Sequence, residues 1–300
     1  MHQYNEAQIH KLKGTGVALV TPFKLDGSVD YAALEKLIQY VTEGGVQYLV
    51  TMGTTGESAT MSEQERFDVM RFTIKMNAGK LGIVTGFGGN NTAALLASIQ
   101  RFDFSGVDAI LSASPYYNKP TQEGIYQHYM AIDQISPVPV ILYNVPGRTA
   151  SNMESSTTLR LQKDSNHIVA IKEASGSFAQ IMQIVQKTPA TFLTLSGDDA
   201  ITLPLISIGA QGVISVIANA FPEQFSSMVA LAMDGQIEKA KKIHYRLLSI
   251  VDLIFAEGNP AGVKYVLQRK GIMNNHVRLP LAEISNTLKL RIDEEIEKIK

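Results

Sequence analysis

Cysteine is absent from this chain of 300 residues, which excludes thiolate catalysis, disulfides and cysteine-type zinc sites. An excess of charge of one sign is missing as well. With 27 basic and 28 acidic residues the formal net charge is −1, which leaves no electrostatic footprint for nucleic acid or an anionic membrane. Nor is there a long apolar run: "LPLISIGAQGVISVIANAF" is interrupted by glycines and polar residues before it could span a bilayer. The first residues, "MHQYNEAQIHKLKGTG", hold no apolar segment of the secretory kind, so a cytoplasmic protein is expected. The histidines at 2, 10, 128, 167, 244 and 276 form no metal-spaced pair, and no metal is expected. "GTTGES" (53–58) is not followed by the Gly-Lys-Ser/Thr of a Walker A loop, and "GFGGNN" (86–91) has Asn91 where a dinucleotide fingerprint needs its third glycine.

What remains is a soluble, globular composition, 45% apolar and 18% charged, with a strong rhythm. Short runs rich in Val, Ile and Leu occur at 16–23, 46–53, 81–88, 107–114, 138–146, 167–174, 191–198 and 211–218. Apolar residues occupy both faces of each run, as in parallel strands covered on both sides. Helical patterns lie between them: Asp30 precedes "YAALEKLIQYV", and Ser62 with Glu65 forms a capping box before "RFDVMRFTI". Eight such units predict an α/β fold, a (β/α)₈ barrel over residues 1–222. An open doubly wound sheet is the alternative, because strand order cannot be read from one sequence. Beyond about 223 the rhythm becomes purely helical, which predicts a small C-terminal helical domain over 223–300.

Functional groups of such a barrel gather at the C-terminal ends of its strands. "IVAIKEASG" (168–176) places Lys172 there, with Ile168 and Ala170 expected on its face and Val169, Ile171 and Glu173 on the other. A lysine at a strand end can simply snorkel into water. Surrounded by Ile, Ala and Val it is instead desolvated, which frees the amine to attack a carbonyl and form a Schiff base with no metal or dissociable cofactor. Tyr143, Tyr117 and Thr54 offer hydroxyls for a proton relay, and Arg148 with the Thr-Thr turn offers anchors for carboxylates. Plainer readings stand beside each. "GTTGES" and "PGR" (146–148) also read as ordinary turns, Tyr116 and Tyr117 as core or subunit contacts, and Asp198 and Asp199 as helix caps.

The ordered set "GTGVALVTPF", "GTTGES", "PYYNKPTQEGIYQHY", "YNVPGRT", "IKEASG", "SGDD" and "GVISV" resembles the dihydrodipicolinate synthase family, within the pyruvate-dependent aldolase superfamily of N-acetylneuraminate lyase. The resemblance runs from about Gly14 into the C-terminal helices. It implies a lyase that condenses pyruvate with aspartate 4-semialdehyde, the first committed step towards diaminopimelate and lysine. Lys172 would be the Schiff-base lysine; Thr54, Tyr117 and Tyr143 would form the relay, with Tyr117 reaching a neighbouring subunit's site. Thr55 would hold the pyruvate carboxylate and Arg148 that of the semialdehyde, with Gly197, Asp198 and Ile214 lining the pocket. A homotetramer built as a dimer of dimers is implied. A lysine-inhibition pocket would be only partly kept: Ser58, Ala59, Asn90 and Tyr116 match it, whereas Glu63, Arg66 and Ala94 depart from it. A further departure is Gly262, where relatives often carry proline. The rival readings are a Schiff-base aldolase acting on a 2-oxo sugar acid, and a catalytically silent barrel. Arg148 speaks against the first, since a cationic fork suits a small carboxylated aldehyde. Retention of Lys172, Tyr143, Thr54 and Arg148 together speaks against the second.

Overall fold

In a computed structural model, which describes Tyr4 and residues 6–299, seven of the eight apolar runs each contain one strand, and the first, read as 16–23, overlaps a strand that starts two residues earlier, at Gly14. These are β1 (Gly14–Ala18), β2 (Tyr48–Thr51), β3 (Gly82–Gly86), β4 (Ala109–Ala113), β5 (Val140–Asn144), β6 (Ile168–Glu173), β7 (Leu193–Ser196) and β8 (Gly212–Ser215). They pair in chain order, all parallel, and β8 returns to β1, so the sheet is a closed barrel and not an open one. His2 lies outside the described residues.

Helices fill the connections. A short α1 (Glu6–His10) precedes the barrel, and α2 (Tyr31–Glu43), α3 (Glu63–Asn77), α4 (Thr92–Arg101) and α5 (Gln122–Ile135) follow the first four strands. One turn, α6 (Pro146–Thr149), and then α7 (Ser155–Asp164) follow β5; α8 (Phe178–Lys187) and α9 (Thr202–Ser207) follow β6 and β7. The expected helix starts are present: Asp30 accepts from Ala33 N, and Ser62 and Glu65 cap each other reciprocally. The helical tail comprises α10 (Pro222–Met233), α11 (Ile237–Phe255), α12 (Ala261–Arg269) and α13 (Asn286–Ile299). The first of these, α10, leans on the first βα unit: a Cβ at Gly44 would lie 2.4 Å from the Pro222 ring. Among the described residues no helix is long and apolar enough to cross a membrane.

Two cores result. An outer layer between strands and helices includes Val17, Leu49, Ile83, Ile110, Leu142 and Ile171, and continues into α10–α13. A smaller inner core fills the barrel with Tyr48, Val50, Val84, Leu111, Ile141, Leu193 and Ile214. Tyr48 is fully buried and donates to Val213 O at 3.1 Å, and its ring crosses a space that a Cβ at Gly16 would occupy (2.0 Å). Alternation along β6 departs from the simple expectation. Val140 opposes Ile168, but Ile141 opposes Ala170, so Val169 is an extra residue. That bulge turns Ile168 into the outer layer, while Val169 and Ala170 both enter the inner core. Beyond it Lys172 and Glu173 keep the faces expected of them.

Candidate active site

The strand ends open into a cavity of about 630 Å³, roofed on one side by Val251, Asp252, Phe255, Ala256 and Asn259 of the helical tail. Lys172 enters it from the end of β6, with only 6% of its surface exposed. Its register partner on β5 is Tyr143, and Nζ lies 4.2 Å from the centre of that tyrosine ring. A cation over a ring face is attracted by the ring's quadrupole. Gly197, at the end of β7, makes room for the lysine: a Cβ there would come within 3.1 Å of Lys172 Cγ and Cε.

Of the other residues singled out from sequence, Thr54, Thr55, Arg148 and Asp198 also line the cavity. Thr54 is exposed and Thr55 buried on the tight turn after β2, where Gly56 N and Glu57 N bond back to Gly53 O and Thr54 O. Thr21 Oγ1 donates to Gly56 O at 2.7 Å and ties the turn to the end of β1. Arg148 stands exposed on α6 with no carboxylate partner among the described residues, a cation at the cavity rim left free for an anion. Asp198 serves both readings, since it lines the cavity while Oδ1 accepts from Ala200 N at 2.9 Å. Asp199 does not line it. It is buried, accepts from Val216 N and Ile217 N, and burial raises its carboxyl from 3.8 to about 6.

Two residues stand apart. Ile214 is buried in the inner core and is not among the lining residues; Val216 occupies that side. Tyr117 is 87% exposed with φ of 73°, outside the cavity of its own chain. Around it, Asn90 Nδ2 donates to Tyr116 O and Asn118 Nδ2 to Asn90 O. Ser58 is partly buried and Ala59 exposed on the segment before α3, and Ala94 is exposed on the first turn of α4. Glu63 is tied to Arg101 by a 2.6 Å ion pair, which holds its carboxyl below the ordinary range, while Arg66 Nε is buried without a partner.

Sequence reasoning missed three supporting groups. Glu173, beside the lysine, faces outward and is buried; Asn144 Nδ2 (3.0 Å), Gln180 Nε2 (2.9 Å) and Ser175 N (2.9 Å) donate to it. Burial pushes its carboxyl up. Asn144 also accepts from Met153 N, so this network ties the ends of β5 and β6 to the segment that follows α6. Glu57, on the threonine turn, forms an ion pair with Lys264 of α12, both side chains fully buried. Asn259 Nδ2 donates to Thr55 Oγ1 at 2.9 Å across 204 residues of sequence. Glu173, Asn144 and Glu57 sit in motifs already noted, but only the fold shows their partners.

A barrel whose strand-end lysine lies against a tyrosine, beside a threonine turn and a free arginine, has close counterparts. Residues 11–299 match the model of the Dihydrodipicolinate synthetase family. The 4-hydroxy-tetrahydrodipicolinate synthase of Flavobacterium psychrophilum is 52% identical over 280 residues, 93% of this chain and 96% of that one. The dihydrodipicolinate synthase of Aquifex aeolicus superposes with a TM-score of 0.92 at 37% identity, covering 95% of this chain and 97% of that one. The chloride-inhibited enzyme of Acinetobacter baumannii, solved in complex with pyruvate, gives a TM-score of 0.93 at 36% identity over 96% and 98%. Likeness this extensive, carried through barrel and helical tail alike, means that the chain belongs to the dihydrodipicolinate synthetase family.

Proposed function

We infer that this chain is a lyase that condenses pyruvate with L-aspartate 4-semialdehyde to 4-hydroxy-tetrahydrodipicolinate, through a Schiff base on Lys172. The observation that carries the reading is Lys172 Nζ held over the Tyr143 ring in a cavity shared with Thr54, Thr55 and Arg148. The neutral amine attacks C2 of pyruvate and water leaves, giving an iminium. Loss of a methyl proton turns the iminium into an enamine, whose carbon attacks the aldehyde; the resulting alkoxide takes a proton. The semialdehyde's own amine then displaces Lys172 from C2 and closes the ring, so one water is released overall and the lysine is regenerated. No dissociable cofactor enters this sequence.

Tyr143 and Thr54 move the protons, Thr55 holds the pyruvate carboxylate, and Arg148 receives that of the semialdehyde as a bidentate fork. Gly197 and Asp198 shape the wall between them. Ile214 takes part only as packing behind that wall. Tyr117 completes the relay in a neighbouring subunit, which its exposure on a strained turn supports. On this reading the working form is a homotetramer, a dimer of dimers, in the cytoplasm.

The rival substrate, a 2-oxo sugar acid, is not favoured: three relatives at 50–52% identity are 4-hydroxy-tetrahydrodipicolinate synthases. The test is to supply pyruvate with either aspartate semialdehyde or N-acetylmannosamine and follow pyruvate consumption. Consumption with the semialdehyde alone supports the reading. Consumption only with the sugar overturns it.

A further inference from the structure

Resting on the reading that Thr55 holds the pyruvate carboxylate, we propose that Asn259 of the helical tail is a positioning residue that aims the Thr55 hydroxyl proton at pyruvate. A threonine hydroxyl has one proton and rotates to suit its neighbours. Here Oγ1 accepts from Asn259 Nδ2 at 2.9 Å, with both side chains buried, Asn259 at 8% and Thr55 at 4% exposed. Among the described residues the Thr55 hydroxyl has no acceptor of its own. Its proton is therefore turned away from Asn259, and both residues line the same cavity. A carboxylate entering that cavity meets a hydroxyl whose donor direction has been settled before it arrives, so orientation is not lost on binding. The turn itself is held from the same side, because Glu57, two residues on, is ion-paired with Lys264.

The consequence is an unusual order of variants. Asn259→Asp is nearly isosteric, but a carboxylate cannot donate. It takes the Thr55 proton for itself and sets a negative charge beside the one the pocket must bind. Asn259→Ala removes the guide and leaves the hydroxyl free to rotate. The measurement is the pyruvate concentration that half-saturates borohydride-trapped adduct at Lys172, which needs no second substrate, together with the KM for semialdehyde and the melting midpoint. The aspartate variant should need roughly ten- to hundredfold more pyruvate, the scale of a lost hydrogen bond to a charged group, and the alanine variant less. Semialdehyde KM should stay within about twofold for both. A purely structural asparagine would rank them the other way, with aspartate milder, and that ranking overturns the proposal. Should the aspartate variant not fold, Asn259→Ala in a Thr55→Val background decides. There the alanine change should add nothing, since both act through one hydroxyl, and full additivity contradicts the proposal. Absence of adduct in the unaltered protein would instead refute the Schiff-base reading itself.

Discussion

Replacing Lys264 by methionine should be among the most damaging single changes outside the cavity, although the two side chains are similar in length. Lys264 and Glu57 are both fully buried and ion-paired, and Lys264 Nζ also donates to His276 O at 2.8 Å. The ammonium lies 4.4 Å from the centre of the Phe23 ring. Burial pulls its pKa down from 10.5 to about 8, against the opposing pull of Glu57. Methionine fills the space but leaves the Glu57 charge in the interior, where among the described residues Arg278 N, at 3.0 Å, is the one remaining donor to it. Stranding one member of a buried pair costs about 3–5 kcal/mol. For a chain of this size, at about 2 °C per kcal/mol, the melting midpoint should fall by about 6–10 °C. Adding Glu57→Gln removes the stranded charge while keeping an acceptor for Arg278 N, and should recover at least about half of the loss. Calorimetry or circular dichroism on the two single variants and the double reads this directly. A single variant melting within about 2 °C of the parent, or a double no better than Lys264→Met, would refute the reasoning.

Tyr143→Phe should keep the fold and lower turnover by roughly 10²–10⁴, the scale of a lost acid–base group; unchanged turnover would make Tyr143 a packing residue. Asp199 sets a pH effect with a definite sign. Its carboxyl is raised to about 6 in the folded chain against 3.8 unfolded, so its contribution is fully present below pH 3.8 and is lost as pH rises through about 6. Asp199→Asn keeps an acceptor for Val216 N and Ile217 N, so its stability relative to the parent should improve by about 3 kcal/mol between those limits. A pH-independent difference in denaturant unfolding would contradict that. Lysine should inhibit weakly or not at all: Ala94 offers no carboxylate to its ammonium, and Glu63 is already paired with Arg101. Sub-millimolar inhibition in an initial-rate titration would show that Glu63 leaves Arg101 for the inhibitor.

The barrel was legible because parallel strands buried on both faces leave continuous apolar runs, and because Asp30 and Ser62–Glu65 mark helix starts by their own chemistry. Lys172 was legible as a charge ending such a run. The bulge at Val169 was not, since an extra residue in a strand leaves no mark in a run apolar on both faces. Nor were the ties from Thr55 to Asn259 and from Glu57 to Lys264, which join residues more than two hundred positions apart. Their partners are set by where the helical tail returns over the strand ends, and a local pattern holds no information about that. Glu173 illustrates the limit differently: alternation placed it on the outer face, but only packing reveals that Asn144 and Gln180 wait there.

The central claim is covalent. Incubation with pyruvate followed by borohydride should add one reduced pyruvyl group per chain, abolish activity, and place the modification at Lys172 on peptide mass spectrometry. Modification at another lysine with Lys172 untouched, or full activity after reduction, would contradict the account.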